Sequence, residues 1–242
     1  MKFKLSIINY QLSVIPAGMI LLFAFSSCKK DEVIHSAGPS YQYAPTDTGR
    51  WILYDVDSTF YSLFTTPPAT HFNFQILERI DSTYLDNQAR PTQRLERFRR
   101  DSVGAPWTEV ISVWNATLTL SAYERVEENV RFVKLGFPIS LNNQWDGNAY
   151  NSMDYDAYSY EDVHIPYSLG TFSFDSALIV QRGQPTNAIE HKNGIEVFAN
   201  HVGMIYKEYY DLDIQNFQDT TGSKYFYRMS AYGLHNAPVP IP

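Results

Sequence analysis

The sequence predicts an all-β fold. A single antiparallel sheet, curved into a barrel or half-barrel, is the expected architecture, with a β-sandwich as the alternative and few or no helices. Three observations lead there. Apolar and polar residues alternate with period two in run after run from Trp51 onward. The chain carries 18 Tyr and 15 Phe, and aromatic side chains suit the half-buried, pleated surface of a strand. Turn-forming residues punctuate the runs, and no long amphipathic helical period is visible.

Taken in order, Phe72, Phe74, Ile76, Ile80 and Tyr84 alternate with polar residues, as one long strand or two in line. Trp114, Ala116, Leu118 and Leu120 follow the same rule, as do Val133, Leu135 and Phe137. Residues 177–181 are more continuously apolar, as expected of a more buried strand. The stretch from Val202 to Tyr210 reads as a central structural strand entered through Gly203, with Lys207 and Glu208 on opposite faces. Tyr225, Tyr227, Met229 and Ala231 close the series. Pro67 with Pro68, Asp86 with Asn87, and Asp146 with Gly147 are among the expected breaks. Asn193 and Gly194, between residues 188–191 and 195–199, form the strongest hairpin candidate. Residues 121–129 fit a short helix. Eight to eleven strands are expected, within a domain over residues 49–234 and before a tail over 235–242.

The N-terminal region has a different character. Lys2 and Lys4 precede an apolar run from Val14 to Phe25, interrupted by Pro16, Ala17 and Gly18. That run is shorter than the ~20 residues of a spanning helix, so residues 1–27 read as a cleavable secretory signal. Phe25, Ser26, Ser27 and Cys28 are similar to a lipobox, with Phe25 where leucine is commoner. The following Lys29, Lys30, Asp31 and Glu32 resemble the start of mature outer-membrane lipoproteins of the Bacteroidota. That resemblance implies lipid attachment at Cys28, an outer-membrane location and display on the cell surface. Residues 28–48 are rich in Asp, Ser, Gly, Pro and Thr and read as a flexible tether.

Cys28 is the only cysteine, so no intrachain disulfide can form. Without Lys2 and Lys4 the formal charge moves from −7 to −9. An acidic chain of this kind argues against nucleic acid and against electrostatic docking on anionic lipid, leaving acyl chains on Cys28 as the expected membrane contact.

Chemistry is weakly marked. Residues 148–167 hold Asp154, Asp156, Glu161 and His164 among five tyrosines. On a strand, Asp154 and Asp156 would point the same way and could hold a hard cation or serve as paired carboxylates in glycoside hydrolysis. A solvated, tyrosine-rich hairpin or loop is the favoured reading. Trp145, beside a probable turn, with Tyr155 and His164, are the candidate ligand contacts. Arg94, Arg97, Arg99 and Arg100 form a basic cluster, read as a solvated strand balanced by Glu96 and Asp101. The six histidines form no HxxxH or HxH pair, and no GxSxG, GxGxxG or P-loop is present. No cofactor and no metal are expected. The combined expectation is a non-enzymatic, lipid-anchored envelope protein that binds a partner protein, an apolar ligand or a glycan. A surface glycan hydrolase and an assembly factor of an envelope complex are the alternatives.

Overall fold

A computed structural model describes residues 40–183, 187–215 and 219–233. The expected signal, Cys28, the tether up to residue 39 and the tail over 235–242 lie outside the described residues.

Twelve antiparallel strands form one sheet: β1 (Trp51–Tyr61), β2 (Ala69–Leu85), β3 (Pro91–Arg100), β4 (Ser112–Leu118), β5 (Ala122–Glu127), β6 (Val130–Gly136), β7 (Gln144–Asp146), β8 (Ala157–Leu169), β9 (Phe172–Gly183), β10 (Glu190–Ala199), β11 (Gly203–Gln215) and β12 (Asp219–Gly233). The order across the sheet is β6-β5-β4-β3-β2-β1-β12-β11-β10-β9-β8-β7. Apart from β6 and β7, consecutive strands lie side by side, and β1 pairs with β12 over its whole length. The edges, β6 and β7, are consecutive in the chain, so the sheet curls into a nearly closed barrel.

The seam between those edges is joined by individual bonds rather than a ladder. Val133 N–H donates to Gly147 O at 2.9 Å. Trp145 Nε1 donates to Val133 O at 3.0 Å, and Asn151 Nδ2 to Arg131 O at 2.8 Å. The Trp145 indole packs on the Tyr160 ring at 4.7 Å. A Cβ on Gly136 would lie 3.1 Å from that indole, closer than ordinary packing, so the glycine lets the ring lie close to the backbone.

One end of the barrel is closed by a 3₁₀ turn, Tyr41–Tyr43. Tyr43 and Ala44 are buried in the core. Tyr43 OH bonds to Ser176 Oγ at 2.6 Å and His164 Nδ1 at 2.7 Å, and His201 N–H donates to Gln42 O. Thus residues 41–44, inside the segment read as a tether, are packed against the sheet. Inward-facing Tyr54, Ile76, Leu95, Leu135, Leu178, Phe198 and Ile205 fill this half of the interior. On the outside, Trp51, Leu53, Leu77 and Phe98 form a smaller cluster covered by Trp107 of the β3–β4 connection.

Three local expectations need correction. Residues 121–129 hold strand β5, not a helix, because Ala122–Glu127 pairs on both sides with β4 and β6. Asn193 and Gly194 lie inside β10, paired with β9 and β11 across them, so they form no hairpin. Gly194 serves close approach instead: a Cβ there would lie 2.5 Å from Glu208 O. Tyr84 leaves the dry face of β2, because a bulge between Ile80 and Ser82 resets the alternation. Among the described residues, twelve strands also exceed the eight to eleven expected.

Gly147 offers a direct check of the seam. A Cβ there would fall 2.1 Å from Tyr158 Cε2. Gly147→Ala is expected to lower stability by about 1–3 kcal/mol, read from urea unfolding; an unchanged midpoint would contradict the tight approach of β7 and β8.

Candidate functional site

The dry face of the barrel carries charge midway along its length. Glu78 of β2, Arg97 of β3, Arg125 and Glu127 of β5, Lys134 of β6, Glu196 of β10 and Lys207 of β11 form one connected belt. Arg97 Nε lies 3.6 Å from Glu78 Oε2, and Arg125 Nη2 2.8 Å from the same oxygen. Arg125 Nε lies 3.4 Å from Glu127 Oε1, and Lys134 Nζ 3.8 Å from it. Lys134 Nζ reaches Glu196 Oε1 at 2.5 Å, and Lys207 Nζ reaches that oxygen at 3.3 Å. Glu196 and Lys134 are each 1 % exposed.

Local structure explains how these groups meet. Glu78 and Arg97 are direct cross-strand partners, and so are Glu196 and Lys207. Arg125 and Glu127 share the inward phase of Tyr123. Lys134 is the extra residue of a bulge that opposes Val133 and Leu135 to the adjacent Glu124 and Tyr123. A bulge re-aims a side chain, and here it turns an ammonium into the barrel beside buried Leu135.

Removing ions from water costs several kcal/mol each unless opposite charges meet them. Burial pushes the Glu196 carboxyl up, but Lys134 and Lys207 outweigh it and hold the group at about 2. Burial likewise opposes ionisation of Glu127, yet Lys134, Lys207, Arg125 and Arg97 hold it well below the usual carboxylate range. Burial lowers Lys134 despite Glu127 and Glu196. Lys207 is raised, because Tyr225, Glu196 and Glu127 outweigh its burial.

Beyond the belt, at the end away from the 3₁₀ turn, the barrel opens into a cavity of about 490 Å³. Phe74, Trp114, Phe132, Tyr225 and Tyr227 line it, with Met153 and Met204; Glu78, Arg97, Glu127 and Lys207 present the belt to it. The Arg97 guanidinium stacks on Trp114 at 3.7 Å and donates to Tyr227 OH at 3.3 Å. Lys207 Nζ lies 5.4 Å from the centre of the Tyr225 ring.

The site residues read from sequence fall elsewhere. Asp154 and Tyr155 are exposed in the connection before β8, and Glu161 is exposed on β8. Asp156 accepts from Arg182 Nη2 at 2.6 Å. None of these carboxylates lines the large cavity. Trp145 is half-buried at the seam rather than exposed. His164, at a φ of 56°, sits at the closed end against Tyr43. The arginine cluster divides: Arg94 joins Glu96 and Asp81 on the outer face, while Arg97 faces inward. Among the described residues, no three His, Cys, Asp or Glu side chains are grouped to hold a metal ion.

No family model and no curated protein matches the chain. Two solved structures resemble it. One, described as an exported protein with a YmcC-like fold from Bacteroides fragilis NCTC 9343, is 13 % identical, with a TM-score of 0.44 over 77 % of this chain and 98 % of that one. The other, described as a lipoprotein from Parabacteroides distasonis ATCC 8503, is 9 % identical, with a TM-score of 0.39 over 79 % and 98 %. At these identities the likeness says nothing about a shared site.

The belt has a pH signature. The Glu196 carboxyl is depressed from the ordinary 4.5 to about 2, so its stabilisation is complete above 4.5 and is lost as pH falls towards 2. Urea midpoints are expected to drop through that window. Glu196→Gln should cost about 3–5 kcal/mol at neutral pH by leaving two buried ammonium groups short of a counter-charge, and should flatten the acid dependence. A variant as stable as the parent would contradict the belt.

Proposed function

We propose that this chain is a lipid-anchored cell-envelope protein whose barrel binds a small ligand at its open end. The cavity is the observation that carries the reading. Its volume of about 490 Å³ falls in the range of small-molecule sites, and its lining joins aromatic walls to a few convergent charges. The anchor rests on Cys28 and the lipobox-like residues before it. Lipid on Cys28 would hold the barrel at the outer membrane, and the charged residues 29–32 favour its surface face.

The hydrolase alternative has less support. A glycosidase needs one carboxyl kept protonated as the acid. Both Glu78 and Glu127, the inner carboxylates lining the cavity, sit against cations, and Glu127 is held strongly ionised.

Two experiments test the halves separately. Cells expressing the full chain and fed labelled palmitate should label it, and Cys28→Ser should remove the label; label on the variant would contradict attachment there. The full chain in lipid nanodiscs should bind neutral 2-naphthalenemethanol saturably in equilibrium dialysis against empty nanodiscs. Ser58→Trp, which places an indole at a position lining the cavity, should weaken that binding. A variant that binds unchanged would rule out the cavity as the site.

A further inference from the structure

We infer that the cavity takes an organic carboxylate, an apolar or aromatic body bearing one anionic group, with that group held between Arg97 and Lys207. This rests on the ligand-binding reading above and adds the ligand's charge and the residues that select it.

The charges of the belt follow one another in a definite order. From Arg97 the contacts run to Glu78, Arg125, Glu127, Lys134, Glu196 and Lys207. Cation and anion alternate throughout, and both ends of the series are cations. Four positive groups meet three negative ones, inside a chain whose net charge is −7. Buried charge is stable when each group meets its opposite, so the belt favours one more anion.

The two terminal cations are those that line the cavity. Arg97 is 6 % exposed, and its Nε has no hydrogen-bond partner among the described residues. Its carboxylate contact, Glu78 Oε2 at 3.6 Å, already accepts from Arg125 at 2.8 Å. Lys207 shares Glu196 Oε1 with Lys134, which holds the shorter contact. Tyr227 brings the two ends together: its hydroxyl accepts from Arg97, and its backbone pairs with Lys207. Arg97 and Lys207 line the same cavity, so an anion lodged between them would meet a guanidinium and an ammonium.

The other charges facing the cavity do not reverse this preference. Glu78 and Glu127 are engaged by Arg125, and Glu127 also by Lys134; Glu127 acts on Arg97 and Lys207 as well, but its one charge is shared among four cations. Glu128 is exposed and accepts from Trp114 Nε1 at 3.0 Å. Nearby Arg182 is matched by Asp156. Phe74, Trp114, Phe132 and Tyr225 supply faces for the apolar body. A cationic ligand would place a further positive charge beside Arg97 and Lys207. A neutral one would leave the excess uncompensated.

Three matched probes test this on the full chain in nanodiscs, with empty nanodiscs as the blank: 2-naphthoate, 2-naphthalenemethanol and 2-naphthylmethylammonium. Naphthoate is expected to bind at least about tenfold tighter than the alcohol, with the ammonium weakest. Lys207→Gln should bring naphthoate down to the level of the alcohol. Retained binding of the alcohol would show that the variant is folded. If the alcohol or the ammonium equals or exceeds naphthoate, or if Lys207→Gln keeps the carboxylate advantage, the inference fails while the cavity stands. If none of the three binds, both the inference and the ligand-binding reading fail.

Discussion

Seven ionised side chains share the middle of a barrel that would otherwise be filled with apolar ones. This is the constraint on which the rest depends. Ions out of water are tolerated only with opposite charges at close range, so strands β2, β3, β5, β6, β10 and β11 must hold their registers together. A slip of one residue in any of them would turn its charged group to the outer face and leave a partner uncompensated. The belt also sets where the packed core ends. Towards the 3₁₀ turn, Leu135, Leu178, Phe198 and Ile205 exclude water; on the other side the interior opens between aromatic rings.

Closure of the barrel serves the same arrangement. Lys134 belongs to an edge strand, β6, yet it meets Glu196 on β10, the fourth strand counted from the opposite edge of the sheet. Such a contact requires the sheet to curl until its edges approach. The bonds from Val133 to Gly147 and from Trp145 to Val133 hold that approach. Seam and belt therefore support each other: the seam brings Lys134 inward, and the Lys134–Glu196 pair pulls the edge of the sheet across the interior.

Much of the fold was legible in the chain. Period-two alternation is a direct consequence of the pleat, so Trp114, Ala116 and Leu118 could be assigned to one face without knowing their neighbours. Where alternation failed as a guide, a local event had reset it, as at the bulge before Ser82 that exposes Tyr84. Gly194 misled because glycine marks both turns and close approach, and only the neighbouring strands decide between them. The site was far less legible. Stretches dense in polar residues attract notice, yet the richness of 148–167 reflects exposure, with Asp154, Tyr155 and Glu161 in solvent. The telling signal was fainter: charges in phase with apolar residues, as Arg125 and Glu127 are with Tyr123. Such charges announce that something must meet them, but the partners lie on strands far away in sequence. Lys134 was hidden further, since a bulge places it on the same face as adjacent Leu135.

The most direct measurement is a carboxyl ¹³C titration of Glu127 and Glu196 by NMR. A working belt predicts that both ionise below the ordinary glutamate range, with Glu196 at about 2. If both instead titrate near 4.5, the carboxylates are not paired inside the barrel, and the account of its interior is wrong.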